Sequence, residues 1–336
     1  MVSIKKDDWS KIQDSNPEVF TTKGYRYLPI KTSHARQFNL GLDSSNQHCL
    51  MFKVPKALLG EKDFPDTEGL EVRIDFGFGE HQIGVVLKLK SDDFLDVFTS
   101  LTNDLLSTLS ELSEDKQFID TFFGRLGIWK MFLDKSGAKG LGPDRRRGLF
   151  GELYLLKELI LKSKGSDGIK YWSGPSGAMH DFEVGTFAIE CKTMAGNKSQ
   201  KVTISNERQL EDEGYEDLYL SCVAITVRKN STPSLVSIIK EIEQILDRDP
   251  LNLVNFRNNL LRCGYNAIHE DIYRREGYHV DDILTYKVED GFPRLLADDL
   301  MDGLGGLKYT VDLSACVDFK IKNEVVTSRL ENFSSK

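Results

Sequence analysis

Cysteine is sparse and unpatterned in this chain. The 336 residues hold five, Cys49, Cys191, Cys222, Cys263 and Cys316, an odd number with no CxxC spacing. A disulfide framework and a zinc ribbon both need paired cysteines, so this usage predicts a reduced, cytoplasmic protein without structural zinc. No run of about 18 apolar residues occurs, so no membrane-spanning helix is expected. The first residues, MVSIKKDDWSKIQDS, lack the apolar stretch of a secretory signal. HExxH and GxSxG are absent. The glycine-rich stretch GAKGLG, residues 137–142, lacks the GK[ST] of a phosphate loop and reads as a linker. No internal repeat is visible. The net charge of −8 argues against a non-specific nucleic-acid coat, though not against a locally basic surface.

What is present is an ordinary globular composition, 40% hydrophobic and 29% charged, at a length that predicts two domains. Residues 1–140 read as a β-rich domain followed by helices. Short β-forming runs at Tyr25–Ile30, Gln37–Asp43, His48–Val54, Leu70–Gly77 and Gln82–Lys90 are separated by turn residues. From 92 to 112 the pattern switches to helical period, with Phe94, Val97, Phe98, Leu101, Leu105 and Leu109 on one stripe. A second helix follows at 114–133. The Gly- and Pro-containing segment 135–148 marks the boundary.

The second domain, 141–336, opens with a helix at 145–163 whose buried stripe is Leu149, Leu153, Leu156, Leu159 and Ile160. Glu152 falls within that arc, where an acidic group needs a partner. A hairpin follows, then a helix near 203–213 and an apolar strand at 217–227 that reads as buried on both faces. Thr232-Pro233 and Asp249-Pro250 open two further helices. Residues 278–320 read as added strands, and the tail RLENFSSK as frayed.

The hairpin, HDFEVGTFAIECK at 180–192, organises the rest. A two-residue turn at Gly185-Thr186 suits type II′. It sets Val184 against Phe187, Phe182 against Ile189 and Asp181 against Glu190. Side chains alternate along a strand, so Asp181, Glu183, Glu190 and Lys192 share one face. Opposed residues have Cβ atoms roughly 4.5–5.5 Å apart. At about 4 Å and an effective dielectric near 20, two carboxylates repel by about 4 kcal/mol. A structural hairpin has no use for that repulsion, while a divalent cation removes it. Mg²⁺ takes oxygen ligands, commonly one or two carboxylates with waters and phosphate. The bland alternative is a solvated hairpin face on which a Glu and a Lys are commonplace.

Asp181, Glu190 and Lys192, spaced D-x(n)-E-x-K across a hairpin, resemble the signature of the PD-(D/E)XK nuclease superfamily. His180 stands where that signature often has proline. The order helix, hairpin, helix, buried strand matches the restriction-endonuclease-like fold, an α/β mixed sheet flanked by helices. The chain is also similar to prokaryotic PD-(D/E)XK proteins linked to restriction or phage-defence systems.

The resemblance implies a DNA endonuclease in which Asp181, Glu190 and Glu152 hold one or two Mg²⁺ and Cys191 adds its backbone carbonyl. Lys192 would position or deprotonate a water, or stabilise charge. DNA is the implied partner, with other subunits of a restriction or defence system and a homodimer as further expectations. The basic residues of 135–147, Arg145, Arg146 and Arg147 among them, are candidates for holding phosphates. So are Lys198, Lys201 and Arg208. Gln209, after the ExK strand, is similar to a glutamine of some nuclease branches, though a surface glutamine is the commoner reading. Rival readings are a non-catalytic DNA-binding or scaffolding subunit of the same fold and a nuclease acting on RNA or branched DNA.

Overall fold

The computed structural model describes residues 3–12, 16, 18–22, 24–31, 36–59, 67, 69–75, 81–196, 200–301 and 303–333. The chain forms two compact units, Met1–Gly140 with Gly264–Ile268, and Leu141–Cys263 with His269–Lys336.

In the first unit the β-forming runs become an antiparallel sheet of β1 (Phe20–Thr22), β2 (Tyr25–Pro29), β3 (Phe38–Leu42), β4 (His48–Pro55), β5 (Leu70–Asp75) and β6 (Gln82–Leu89). Its order is β1-β2-β3-β4-β6-β5. β1 was not foreseen from sequence. Two helices follow, α1 (Leu95–Leu109) and α2 (Asp115–Ser136). The stripe Phe94, Val97, Phe98, Leu101, Leu105 and Leu109 is buried, as the helical period requires. Phe52 of β4 meets Phe118 and Phe122 of α2 edge-on, at ring distances of 5.5 and 5.0 Å. Side chains one residue apart on β4 alternate between this core and the opposite face.

The second unit carries a mixed sheet. Its strands are β7 (Phe182–Val184), β8 (Phe187–Ala195), β10 (Asp217–Lys229), β11 (Glu276–Val288) and β13 (Lys320–Ile321), in the order β13-β11-β10-β8-β7. β8 and β10 are parallel, with Glu190 beside Leu220 and Lys192 beside Cys222, and the other pairs are antiparallel. Residues Leu218–Val223 of β10 are buried on both faces, as its unbroken apolar run predicts. Helix α3 (Pro143–Leu155) continues through a π-turn at Leu156–Leu161. Leu149, Leu153, Leu156 and Ile160 are buried beneath it.

The expected helix at 203–213 is replaced by strand β9 (Lys201–Ile204) and a single 3₁₀ turn, Glu207–Leu210. KVTI permits the extended form, since its β-branched residues are stiff at χ1 and suit a pleated surface, and a partner strand distant in sequence completes it. Asn206 then caps the turn by accepting the Arg208 N–H at 2.9 Å, and Glu211 is already extended. β9 pairs with β12 (Tyr309–Asp312), so Val202 and Ile204 join a core with Ala188, Met194, Leu220 and Leu313.

Ser234 and Asp249 cap α4 (Leu235–Leu246) and α5 (Pro250–Arg262) through their side chains. Of the tail expected to fray, residues 329–332 are helical as part of α6 (Asn323–Asn332), Phe333 packs on Tyr171 and Phe187 at 6.2 and 6.5 Å, and residues 334–336 lie outside the described residues. Among the described residues, no helix is long and apolar enough to cross a membrane.

Candidate active site

The hairpin has the register its turn dictates: Phe182 opposite Ile189, Glu183 opposite Ala188 and Val184 opposite Phe187. Gly185 sits at φ +59, and Thr186 is not among the residues of positive φ, the combination a type II′ turn needs. A Cβ on Gly185 would also lie 2.1 Å from the Phe333 ring. Asp181 stands one step before β7. Its Oδ2 accepts the Cys191 N–H at 2.8 Å, and its carbonyl accepts from Ser173 and Gly174 at 3.0 and 3.1 Å. Gly174 allows that approach, since a Cβ there would lie 2.9 Å from Asp181 Oδ1.

Glu190 and Lys192 lie two apart on β8 and so on one face. Lys192 Nζ is 2.8 Å from Glu190 Oε1, and both side chains are largely buried, at 15% and 2% exposure. Lys192 Nζ also donates to Gln209 Oε1 at 2.8 Å, and the Ser205 N–H donates to the same oxygen at 2.8 Å. Gln209 is thus no surface glutamine; it is the second anchor of the lysine. Its signal in the sequence was its place after the strand that carries Glu190 and Lys192.

Burial is the dominant influence on the two hairpin carboxyls. It pushes Asp181 up, against the opposing pull of Lys192 and the Cys191 N–H. Burial raises Glu190 well above the ordinary carboxylate range, and the charges of Asp181 and Glu152 raise it further against Lys192. Burial pulls Lys192 down, but the charge and hydrogen bond of Glu190 outweigh it, and the net shift is upward. Lys192 is therefore an ammonium, which favours charge stabilisation over the proton-accepting role also expected of it. Burial, then Asp181, Glu152 and Glu190, push the Cys191 thiol well up. Cys191 contributes its backbone N–H here, and its thiol stays protonated.

Glu152 is half-buried on α3 and its Oε2 accepts the Trp172 indole N–H at 3.2 Å. Its neighbour Gly151 lets the helix lie against β8, because a Cβ there would fall 2.0 Å from Thr193 Oγ1 and 3.2 Å from Thr193 Cβ. Neither Gly151 nor Trp172 stands out in the sequence. Gly151→Ala is expected to lose about 1–3 kcal/mol of stability by overpacking, and Thr193→Ala in the same chain to restore most of it. Denaturant melts of the single and double variants check this; a single variant as stable as wild type would mean that the helix is not seated at Thr193.

His180 is buried against the Tyr215 ring at 5.2 Å, and burial pulls its pKa down. It is a packed neutral imidazole. Arg146 does not face outward for phosphate, and Arg147 is half-buried. Arg146 is buried, 3.6 Å from Glu276 and bonded to the Ile272 carbonyl at 3.3 Å, and Arg147 is 3.9 Å from Glu276. Arg146 thus meets an acidic partner far along the chain, while Arg147 also lies 3.3 Å from its helix neighbour Asp144. Arg145 and Arg208 are exposed, and Lys201 lies 4.0 Å from Asp312. Lys198 lies outside the described residues.

Three carboxylates, Asp181, Glu190 and Glu152, therefore influence one buried region, and Lys192 sets a positive charge against them. Such an excess of buried negative charge is the donor chemistry a divalent cation satisfies. Among the described residues, no three His, Cys, Asp or Glu side chains are gathered tightly enough to cage an ion. Mg²⁺ keeps several waters and rests on one or two carboxylates plus substrate oxygens. Asp181 and Glu190 fit that role, with Glu152 at its margin.

A model of the family described as "Putative PD-(D/E)XK family member, (DUF4420)" matches residues 5–314. The mixed sheet, the hairpin and the helix carrying Glu152 agree with its restriction-endonuclease-like fold. Neither a curated protein nor a solved structure matches the chain.

Proposed function

We propose, from the premise that this chain belongs to the DUF4420 family of PD-(D/E)XK proteins, that it is a Mg²⁺-dependent DNA endonuclease. One observation carries the reading. Asp181, Glu190 and Lys192 meet at one end of a hairpin, with the lysine locked by Glu190 and Gln209 and the carboxyls desolvated. Asp181 and Glu190 would hold the ion. When bound, Mg²⁺ supplies a Lewis acid that lowers the pKa of a water and shields phosphate charge.

The chain's own residues do the rest. The Cys191 N–H fixes the Asp181 carboxylate. Trp172 restrains Glu152 from turning away. Lys192 offers an ammonium already desolvated, so it stabilises charge on a phosphate without reorganising. Gln209 keeps its Nζ from collapsing wholly onto Glu190. Service in a restriction or phage-defence system is part of the proposal and rests on the resemblance alone.

The test is nicking of supercoiled plasmid by the purified protein in Mg²⁺ and in EDTA, beside single-stranded DNA and RNA. Cleavage of plasmid in Mg²⁺, absent in EDTA and in Asp181→Asn, is expected. Cleavage of RNA alone would transfer the reading to that substrate. Cleavage of none would leave a non-catalytic subunit.

A further inference from the structure

A cleft of about 550 Å³ opens beside the hairpin, and Trp172, Ser173 and Glu183 are part of its lining. It shares a wall with the carboxylate site. Trp172 lines the cleft and donates its indole N–H to Glu152, while the Ser173 hydroxyl donates to the His180 and Asp181 carbonyls at 3.1 and 3.3 Å. A ligand seated there lies next to the residues that would hold the metal.

The chemistry of the lining is that of an anion site. Lys170 and Arg262 bring positive charge, and Ser176, Asn255 and Asn259 bring neutral donors. Glu183 is the acidic residue on the lining, and it is engaged by the Tyr215 hydroxyl. Burial and that hydrogen bond together push the Tyr215 phenol up to about 12. Arg262 is also pre-positioned. It donates to Asn259 Oδ1 at 2.8 Å from one turn along α5, and the Asn259 amide donates to the Trp172 carbonyl at 3.4 Å. The Trp172 ring packs on Phe256 of the same helix at 5.9 Å. A planar guanidinium held this way suits a phosphate.

We propose that this cleft grips the backbone phosphates flanking the scissile one, with Lys170 and Arg262 as the gripping cations; the proposal rests on the nuclease reading of the neighbouring site. Contacts of this kind fix a strand's path and carry no sequence information. The cleft therefore sets the register of the strand on the metal, and any sequence preference arises elsewhere.

The experiment measures binding of a short DNA duplex by the full chain in EDTA, where no cleavage occurs, across a series of salt concentrations. Each phosphate contact contributes about −0.9 to the slope of log K against log salt. Lys170→Gln and Arg262→Gln are each expected to lower the slope by about one and to weaken binding equally for unrelated sequences. Lys170→Arg, which keeps the charge at an exposed position, is expected to keep the slope. Thermal melts confirm that each variant folds, and Lys170→Gln, being at the surface, carries the test should Arg262→Gln unfold.

Plasmid nicking with an unchanged slope overturns the cleft and leaves the nuclease reading standing. A lowered slope without nicking in Mg²⁺ does the reverse. No duplex binding by wild type overturns the cleft, and so does a loss of polyglutamate binding in Lys170→Gln without a change in the DNA slope, which would make the occupant an acidic peptide.

Discussion

Lys192→Met will lose about 10²–10³-fold in cleavage, the usual effect of removing a group that stabilises transition-state charge, and it will also lose stability. The methionine keeps the apolar stem packed and removes the ammonium 2.8 Å from Glu190. Breaking a buried ion pair from one side costs about 3–5 kcal/mol. The loss here will fall below that range, because Lys192 keeps some exposure and Glu190 can take a proton. A role for Lys192 in catalysis alone would leave the fold untouched, as the hairpin's sequence by itself suggests.

The pH dependence has a definite sign. Glu190 is raised in the folded protein, so between its unfolded value, about 4.3, and its folded one the native state binds more protons than the unfolded. Stability in that window falls as pH rises. Removing Lys192 pushes Glu190 further up and widens the window. Denaturant melts in EDTA will therefore show Lys192→Met close to wild type near pH 5 and well below it at pH 8. Equal stability at pH 8 would mean that the ammonium is not the partner that keeps Glu190 charged.

Asp181→Asn will behave in the opposite way. The amide oxygen still accepts the Cys191 N–H, while the charge that raises Glu190 is gone. In EDTA at pH 8 the variant will be more stable than wild type, on the order of 1 kcal/mol, by relief of repulsion between neighbouring like charges. The gain shrinks as pH falls, because both carboxyls are raised and take up protons in wild type. Mg²⁺ reverses the ranking: wild type gains about 2.7 kcal/mol at 100 times its Kd, and a variant that has lost a ligand gains far less. Thermal melts with and without Mg²⁺ read both effects. A variant less stable than wild type in EDTA at pH 8 would mean that the carboxylate serves the fold rather than an ion.

The hairpin was legible because everything that sets it is local. A two-residue turn determines which residues face each other, and strand alternation determines which share a face. The buried stripes of α1 and α3 were legible for the same reason, as was the cap at Asp249, while α4, expected to open at Thr232-Pro233, is capped two residues later by Ser234. The misreadings share a different cause. KVTI is a strand because Tyr309–Asp312 lies beside it, and Arg146 is buried because Glu276 meets it. Gln209 is partly buried because Lys192 reaches across to it. Each depends on a partner distant in sequence, where periodicity is silent.

The clamp on Gln209 has a bearing on the order in which the protein comes into being. Its 3₁₀ turn is held by Glu207, which accepts the Gly306 and Leu307 N–H groups at 3.1 and 2.8 Å, and by β9 pairing with β12. A nascent chain already containing Asp181, Glu190 and Lys192 cannot fix its lysine until residues 306–312 leave the ribosome. Contacts so distant in sequence close late, because the intervening loop must be ordered first. Chains cut short before residues 306–312 would thus carry the three signature residues without the clamp on Lys192, and the proposed cutting activity would wait on that later segment.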